Sequence, residues 1–240
     1  MKLKTILWIT VFAVSMGYFE SAIVIYLRQI VYPGGFAFPL QSIDKDLATT
    51  EIIREAFSLL MLLSVSFLTG KSTITRFAYF LFSFAVWDIF YYIFLKVLIN
   101  WPEFLMTMDI LFLLPVIWIG PVIAPLILSF IMTIFALLML YFSSCHEHVQ
   151  LKPSELLILI LGALIIIISF TADYMIFILN HYSFDQIWSL PTKSLFKLSV
   201  EYYPENFYWS IFWLGVIIIL TGIGLFTYRN ILELKNIKLK

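Results

Sequence analysis

Apolar residues run almost unbroken through six stretches of the chain, and polar residues gather between them. The stretches cover roughly 5–30, 52–70, 74–99, 120–142, 155–180 and 207–228. A helix needs about 20 such residues to cross a hydrocarbon core of about 30 Å, and each stretch is close to that length or beyond it. The strict apolar–polar alternation of a membrane barrel is absent. The pattern therefore predicts an all-α polytopic membrane bundle of six helices, a single transmembrane domain over residues 1–240.

One segment resists that simple reading. "WPEFLMTMDILFLLPVIWIGPVIAP", residues 101–125, carries Pro102, Pro115, Pro121 and Pro125. Proline at 102 suits a helix start, but Pro115 and Pro121 each remove a backbone donor and disfavour a straight helix. A short interfacial or re-entrant helix over 103–113, breaking before the fourth span, is the expectation. Irregular backbone at membrane depth must be buried in protein or line a wet cavity. The loops 31–51 and 181–206 are rich in proline and aromatics, so they are expected to lie on the membrane surface. No internal repeat is visible, and only one half has a proline-broken segment, unlike an inverted-repeat transporter.

Composition sharpens the class. Hydrophobic residues make up 62% and charged residues 12%, and a soluble domain carries about twice that share of charge. Formal net charge is zero, so no basic balance points to nucleic acid. Cys145 is the only cysteine, which excludes an intrachain disulfide framework. The opening "MKLKTILWITVFAV" is read as a retained first span, because its apolar run outlasts a signal-peptide core and shows no clear cleavage site.

The charge distribution gives an orientation. With the N-terminus inside, the inner segments hold Lys2, Lys4, Lys71, Arg76, Lys152, Arg229, Lys235, Lys238 and Lys240 against Glu147, Glu155 and Glu233. Subtracting those from 15 basic and 15 acidic residues leaves six bases and twelve acids elsewhere. The positive-inside rule then puts both termini in the cytoplasm.

Ionisable residues inside the spans carry the functional question, since they are expensive there and face the bundle interior. On helical spacing, Gly17, Glu20, Ser21, Val24 and Arg28 share one face of the first span. Glu51, Arg54, Glu55, Ser58 and Ser66 share a face of the second, and Asp88, Tyr92 and Lys96 one of the third, flanked by Trp87 and Tyr91. Asp109 belongs to the broken segment, and Asp173 with Thr171 lies in the outer half of the fifth span. At about 1.5 Å per residue, Glu20, Glu55 and Asp88 all fall in the outer half of the membrane. Helices consecutive in sequence are usually neighbours, so the three polar faces are expected to meet. Arg28, Arg54 and Lys96 can pair with some of Glu20, Glu51, Glu55, Asp88 and Asp109, and the surplus of acid must be met by protons, a bound cation or water. Glu20 and Asp88 rank first by depth and Glu51 last, because Glu51 with Arg54 also suits the headgroup region. A structural network that only fixes helix order is the competing reading.

Other chemistry is thin. "CHEH", residues 145–148, offers Cys145, His146 and His148 as soft metal ligands, but in a short cytoplasmic loop. His181 sits at the outer end of the fifth span. With three histidines in all, a bis-histidine haem bundle is excluded. "TGIG" at 221–224 with Gly215 suits close helix packing. No phosphate loop, nucleophile elbow or HExxH occurs, so neither nucleotide nor haem is expected. A divalent cation on the carboxylates is an open alternative, although no metal motif is matched.

The run "VWDIFYYIFLKVLINWPEFLMTMDILFLLPV", residues 86–116, with "YFESAIVIYLRQI" and "EIIREAF", resembles a group of uncharacterised bacterial multi-pass inner-membrane proteins. The resemblance covers about the first half of the chain and implies the bacterial inner membrane, with no assigned activity. The leading expectation is a membrane-embedded enzyme acting on a lipid-like or amphipathic substrate. Glu20, Glu55, Asp88 and Asp109 would be its acid–base or cation-binding groups, and Arg28, Arg54 and Lys96 would hold anionic substrate charge. Trp87, Tyr91, Tyr92 and Trp101 would line the pocket. The alternatives are a proton- or cation-coupled carrier or channel on the same carboxylates, and a non-catalytic subunit or assembly factor with a membrane-protein partner.

Overall fold

The six apolar runs fold as six helices: α1 (Leu3–Val31), α2 (Lys45–Thr69), α3 (Thr73–Ile99), α4 (Ile123–Cys145), α5 (Pro153–His181) and α6 (Trp209–Lys238). Between α3 and α4 lies an antiparallel hairpin of β1 (Met108–Phe112) and β2 (Trp118–Pro121). The computed structural model describes residues 3–41, 43–113, 116–146, 149–183 and 200–238. All six helices are long and apolar enough to cross a membrane, so the chain is a multi-pass membrane protein built as an all-α bundle.

Local chemistry sets the helix ends. Asp44 caps α2 by accepting from the Asp46 N–H at 3.0 Å. The helix therefore starts ahead of the apolar run near 52, and Glu51 is already helical. Ser72 and Thr75 form a reciprocal capping box at the start of α3. Asn100 closes α3 in the left-handed region (φ 53°), returning its N–H to the Lys96 carbonyl at 3.1 Å. Pro153 occupies the first turn of α5, where no backbone donor is missed, and the Glu155 carboxylate accepts from the Lys152 N–H at 2.9 Å.

The short helix expected over 103–113 is not formed. Residues from Met108 onward are extended and pair with Trp118–Pro121, Asp109 facing Gly120 and Ile110 facing Ile119. Pro121 ends the pairing where its missing N–H costs nothing further. The same turn starts α4: the Val122 N–H reaches the Thr107 carbonyl at 3.1 Å and Ile123 the Leu105 carbonyl at 2.8 Å. Backbone donors that a helix start leaves orphaned are thus met by the preceding segment. The hairpin pairs the inner backbone groups of its two strands and leaves the outer ones to its surroundings, where Glu55 takes the Leu113 N–H.

Packing centres on α3, against which α1, α2 and α4 all lie, while α5 pairs with α6 and rests on β2. Neighbours in sequence are not always neighbours here: α1 and α2 do not pack closely on each other, nor does either on α5. Small residues set the tight seams, as expected where lipid gives helices no hydrophobic drive to associate. A Cβ on Gly17 would stand 3.0 Å from the Trp87 carbonyl oxygen on α3. A Cβ on Gly215 would stand 2.9 Å from the Gly162 carbonyl oxygen across the α5–α6 seam. Of the "TGIG" glycines, Gly222 meets Leu159 and Gly224 meets nothing. The end of the bundle away from the hairpin is a continuous apolar core that includes Ile9, Ala13, Phe82, Phe135, Met139 and Phe226.

Candidate functional site

The hairpin half of the bundle, by contrast, encloses a cavity of about 750 Å³. It lies among α1, α2, α3, α4, α5 and the hairpin. Most of its wall is apolar: Leu111, Phe112 and Trp118 from the hairpin, Leu128 and Met132 from α4, and Phe170, Tyr174 and Ile178 from α5. Its charged groups are gathered on α1–α3 and β1, namely Glu20, Arg28, Glu51, Arg54, Glu55, Asp88 and Asp109, with Tyr91 and Tyr92 beside them, Tyr32 and Gln41 from the α1–α2 connection, and Ser129 on α4.

Two guanidinium centres organise these groups. Arg54 grips Glu51 with two bonds, Nε to Oε2 at 2.9 Å and Nη2 to Oε1 at 2.6 Å, and its Nη1 donates to Glu20 Oε2 on α1. The flat fork of arginine suits that geometry. Because α1 and α2 do not pack closely, this is a polar strut between them. Arg28 Nη2 donates to Asp109 Oδ1 at 3.0 Å, and its plane sits 3.8 Å from the Trp101 ring centroid and 4.5 Å from that of Phe36. Asp109, 1% exposed, also accepts from the Tyr92 hydroxyl at 3.3 Å. A buried carboxylate needs such partners.

Glu55 and Asp88 are different. Glu55 Oε2 accepts from the Leu113 backbone N–H at 3.0 Å, and Asp88 Oδ2 from the Ser129 hydroxyl at 2.7 Å. Both partners are neutral. Among the described residues neither carboxylate has an ion pair, and Oε1 and Oδ1 accept no hydrogen bond. The cavity thus has five carboxylates against two guanidiniums.

Of the residues singled out in the sequence, Glu20, Glu55, Asp88, Asp109, Arg28, Arg54, Trp87, Tyr91 and Tyr92 line this one cavity. Two do not. Lys96 turns away to donate to the Pro102 carbonyl at 2.9 Å, so it does not join the carboxylates. Trp101 covers Arg28 from outside and lines a separate small pocket with Phe36 and Tyr203. Glu51, placed last by sequence, is 8% exposed and held by both its oxygens. Ser129 was missed. Its signal was there, as the one hydroxyl between Ile123 and Met132. The apolar wall from α5 was missed too, because nothing in an apolar helix marks which side faces a void.

The remaining candidates serve elsewhere. Asp173 pins the segment before α6, accepting from the Tyr202 hydroxyl at 2.6 Å and from the Glu205 and Asn206 N–H groups. Burial, and Asp173 beside it, push the Tyr202 hydroxyl far above the ordinary tyrosine range. His181 shares a 2.8 Å hydrogen bond with the Phe177 carbonyl. Cys145 is exposed and His146 caps α4, while Glu147 and His148 lie outside the described residues. Among the described residues no three His, Cys, Asp or Glu side chains are grouped to hold a metal ion. The chain matches no known family, no curated protein and no solved structure.

Proposed function

We propose that the protein is a membrane-embedded enzyme that draws a lipid-like, amphipathic substrate into the hairpin-side cavity. The observation that carries this reading is one space combining an apolar wall with two carboxylates, Glu55 and Asp88, that have no ion pair among the described residues. A largely apolar pocket with a few convergent polar groups is the usual form of a small-molecule site. The apolar tail would lie against Phe170, Tyr174 and Met132, and the polar head against α1–α3. Glu55 and Asp88 would exchange protons with the substrate, each oriented by one neutral donor and keeping one oxygen free. Arg54 and Arg28 would fix the acids around them. Neither α1 nor α2 packs closely on α5, which suits entry from the bilayer.

In this reading the protein sits in a bacterial inner membrane, with both termini cytoplasmic and the cavity toward the outer face. A proton- or cation-coupled carrier would need a polar route through the opposite half. The apolar core around Phe82, Phe135, Met139 and Phe226 argues against one.

The test is turnover. Purified protein is incubated with the lipid extract of its host membrane, and products are followed by mass spectrometry. We expect one lipid class to be consumed, and Glu55→Gln with Asp88→Asn to abolish its loss. Undiminished consumption by the double variant, or none by the native chain, would refute the enzyme.

A further inference from the structure

Charge accounting inside the cavity narrows what its occupant can be. Glu20 and Glu51 share the single guanidinium of Arg54, and Asp109 has Arg28. Five carboxylates less two guanidiniums leave an excess of three, of which Glu55 and Asp88 supply two. Lys96, the third cation singled out on these helices, is committed to the Pro102 carbonyl. Both arginines already hold carboxylates: Arg54 makes three bonds to them, and Arg28 donates through Nη2 to Asp109 between Phe36 and Trp101, its one unbonded nitrogen, Nη1, being buried.

We infer that the amphiphile bound here carries a cationic, amine-type head group, with its nitrogen at the free oxygen of Glu55 or of Asp88. This rests on the amphiphile reading above and names the substrate class. A phosphate head would add to the excess negative charge, and both guanidiniums beside the cavity already hold carboxylates. A sugar head would leave the excess where it is. An ammonium brings donors without acceptors, which matches carboxylate oxygens that accept nothing from the protein. The apolar wall on α4, α5 and the hairpin then takes the tail.

The experiment uses the full chain in zwitterionic phosphatidylcholine nanodiscs and three probes with one tail: decylamine, decyl glucoside and decyl phosphate. Bound probe is counted by native mass spectrometry, with saturation separating a site from partition into lipid. Decylamine is expected to saturate at one per chain and to bind about tenfold or more tighter than the other two, the scale of one hydrogen bond to a charged group. Glu55→Gln with Asp88→Asn should erase that preference. The native chain alone decides the matter if that variant fails to fold. A preference for the glucoside or phosphate, or equal binding of all three, would overturn the cationic head group and leave an amphiphile site standing. No saturable binding of any probe would overturn both.

Discussion

A single oxygen distinguishes two substitutions at Glu55. Gln keeps an acceptor for the Leu113 N–H, whereas Ala leaves that donor bare inside the bundle. Glu55→Ala is therefore expected to cost about 1–3 kcal/mol, and Glu55→Gln less than about 1 kcal/mol. Equilibrium unfolding in mixed detergent reads the difference, and equal losses would show that the hydrogen bond does not hold the hairpin. The Arg28–Asp109 pair makes a second residue-scale prediction. Arg28→Met alone strands a carboxylate that is 1% exposed, at about 3–5 kcal/mol. The double change with Asp109→Leu should recover most of that loss, and a double-mutant cycle would measure the coupling. At this scale much was legible in the sequence. Helical spacing alone put Glu20, Arg54 and Asp88 on inward faces, because a buried charge leaves the bundle few other places for it. Spacing gives direction and not partner, however. Lys96 was expected to meet an acid, yet a carbonyl lay nearer along its own chain.

At the scale of the element, the seams predict more than the propensities. Gly215→Val on α6 would drive a side chain into Gly162 and Ile166 of α5, and overpacking of that kind costs about 1–3 kcal/mol. Gly224→Ala meets open space and should change stability by less than about 0.5 kcal/mol. Thermal unfolding of both variants checks the contrast between two glycines that look equivalent in sequence. The helices were legible because hydropathy over twenty residues is a strong signal. The hairpin was not. A five-residue run such as Met108–Phe112, four apolar residues around Asp109, has no period long enough to separate strand from helix, and the prolines mark a break without specifying the backbone on either side of it.

For the molecule as a whole, orientation is the property most open to direct measurement. Cys145 is exposed at the end of the bundle opposite the hairpin, and it is the only thiol. With cytoplasmic termini it should resist a membrane-impermeant maleimide in intact cells and react fully in inverted vesicles. Reaction in intact cells would turn the molecule over and put the cavity on the inner face. The division of labour between the two halves could not be read from composition, since both are apolar. It comes from where the side chains meet: aromatic and methionine side chains close one end, while paired charges hold the other open.

That α1 rests on α3 and not on α2 also has a consequence for how the protein is made. The ribosome delivers the first helix two helices ahead of its main packing surface, so a nascent chain stopped near residue 70 has two apolar helices with no close partner for each other. Until α3 arrives, the Glu20–Arg54 ion pair would be one contact through which these two helices associate in lipid. The same two side chains that frame the finished cavity would then act first as a matchmaker during synthesis, and losing either should lower the yield of inserted protein before any mature function is affected.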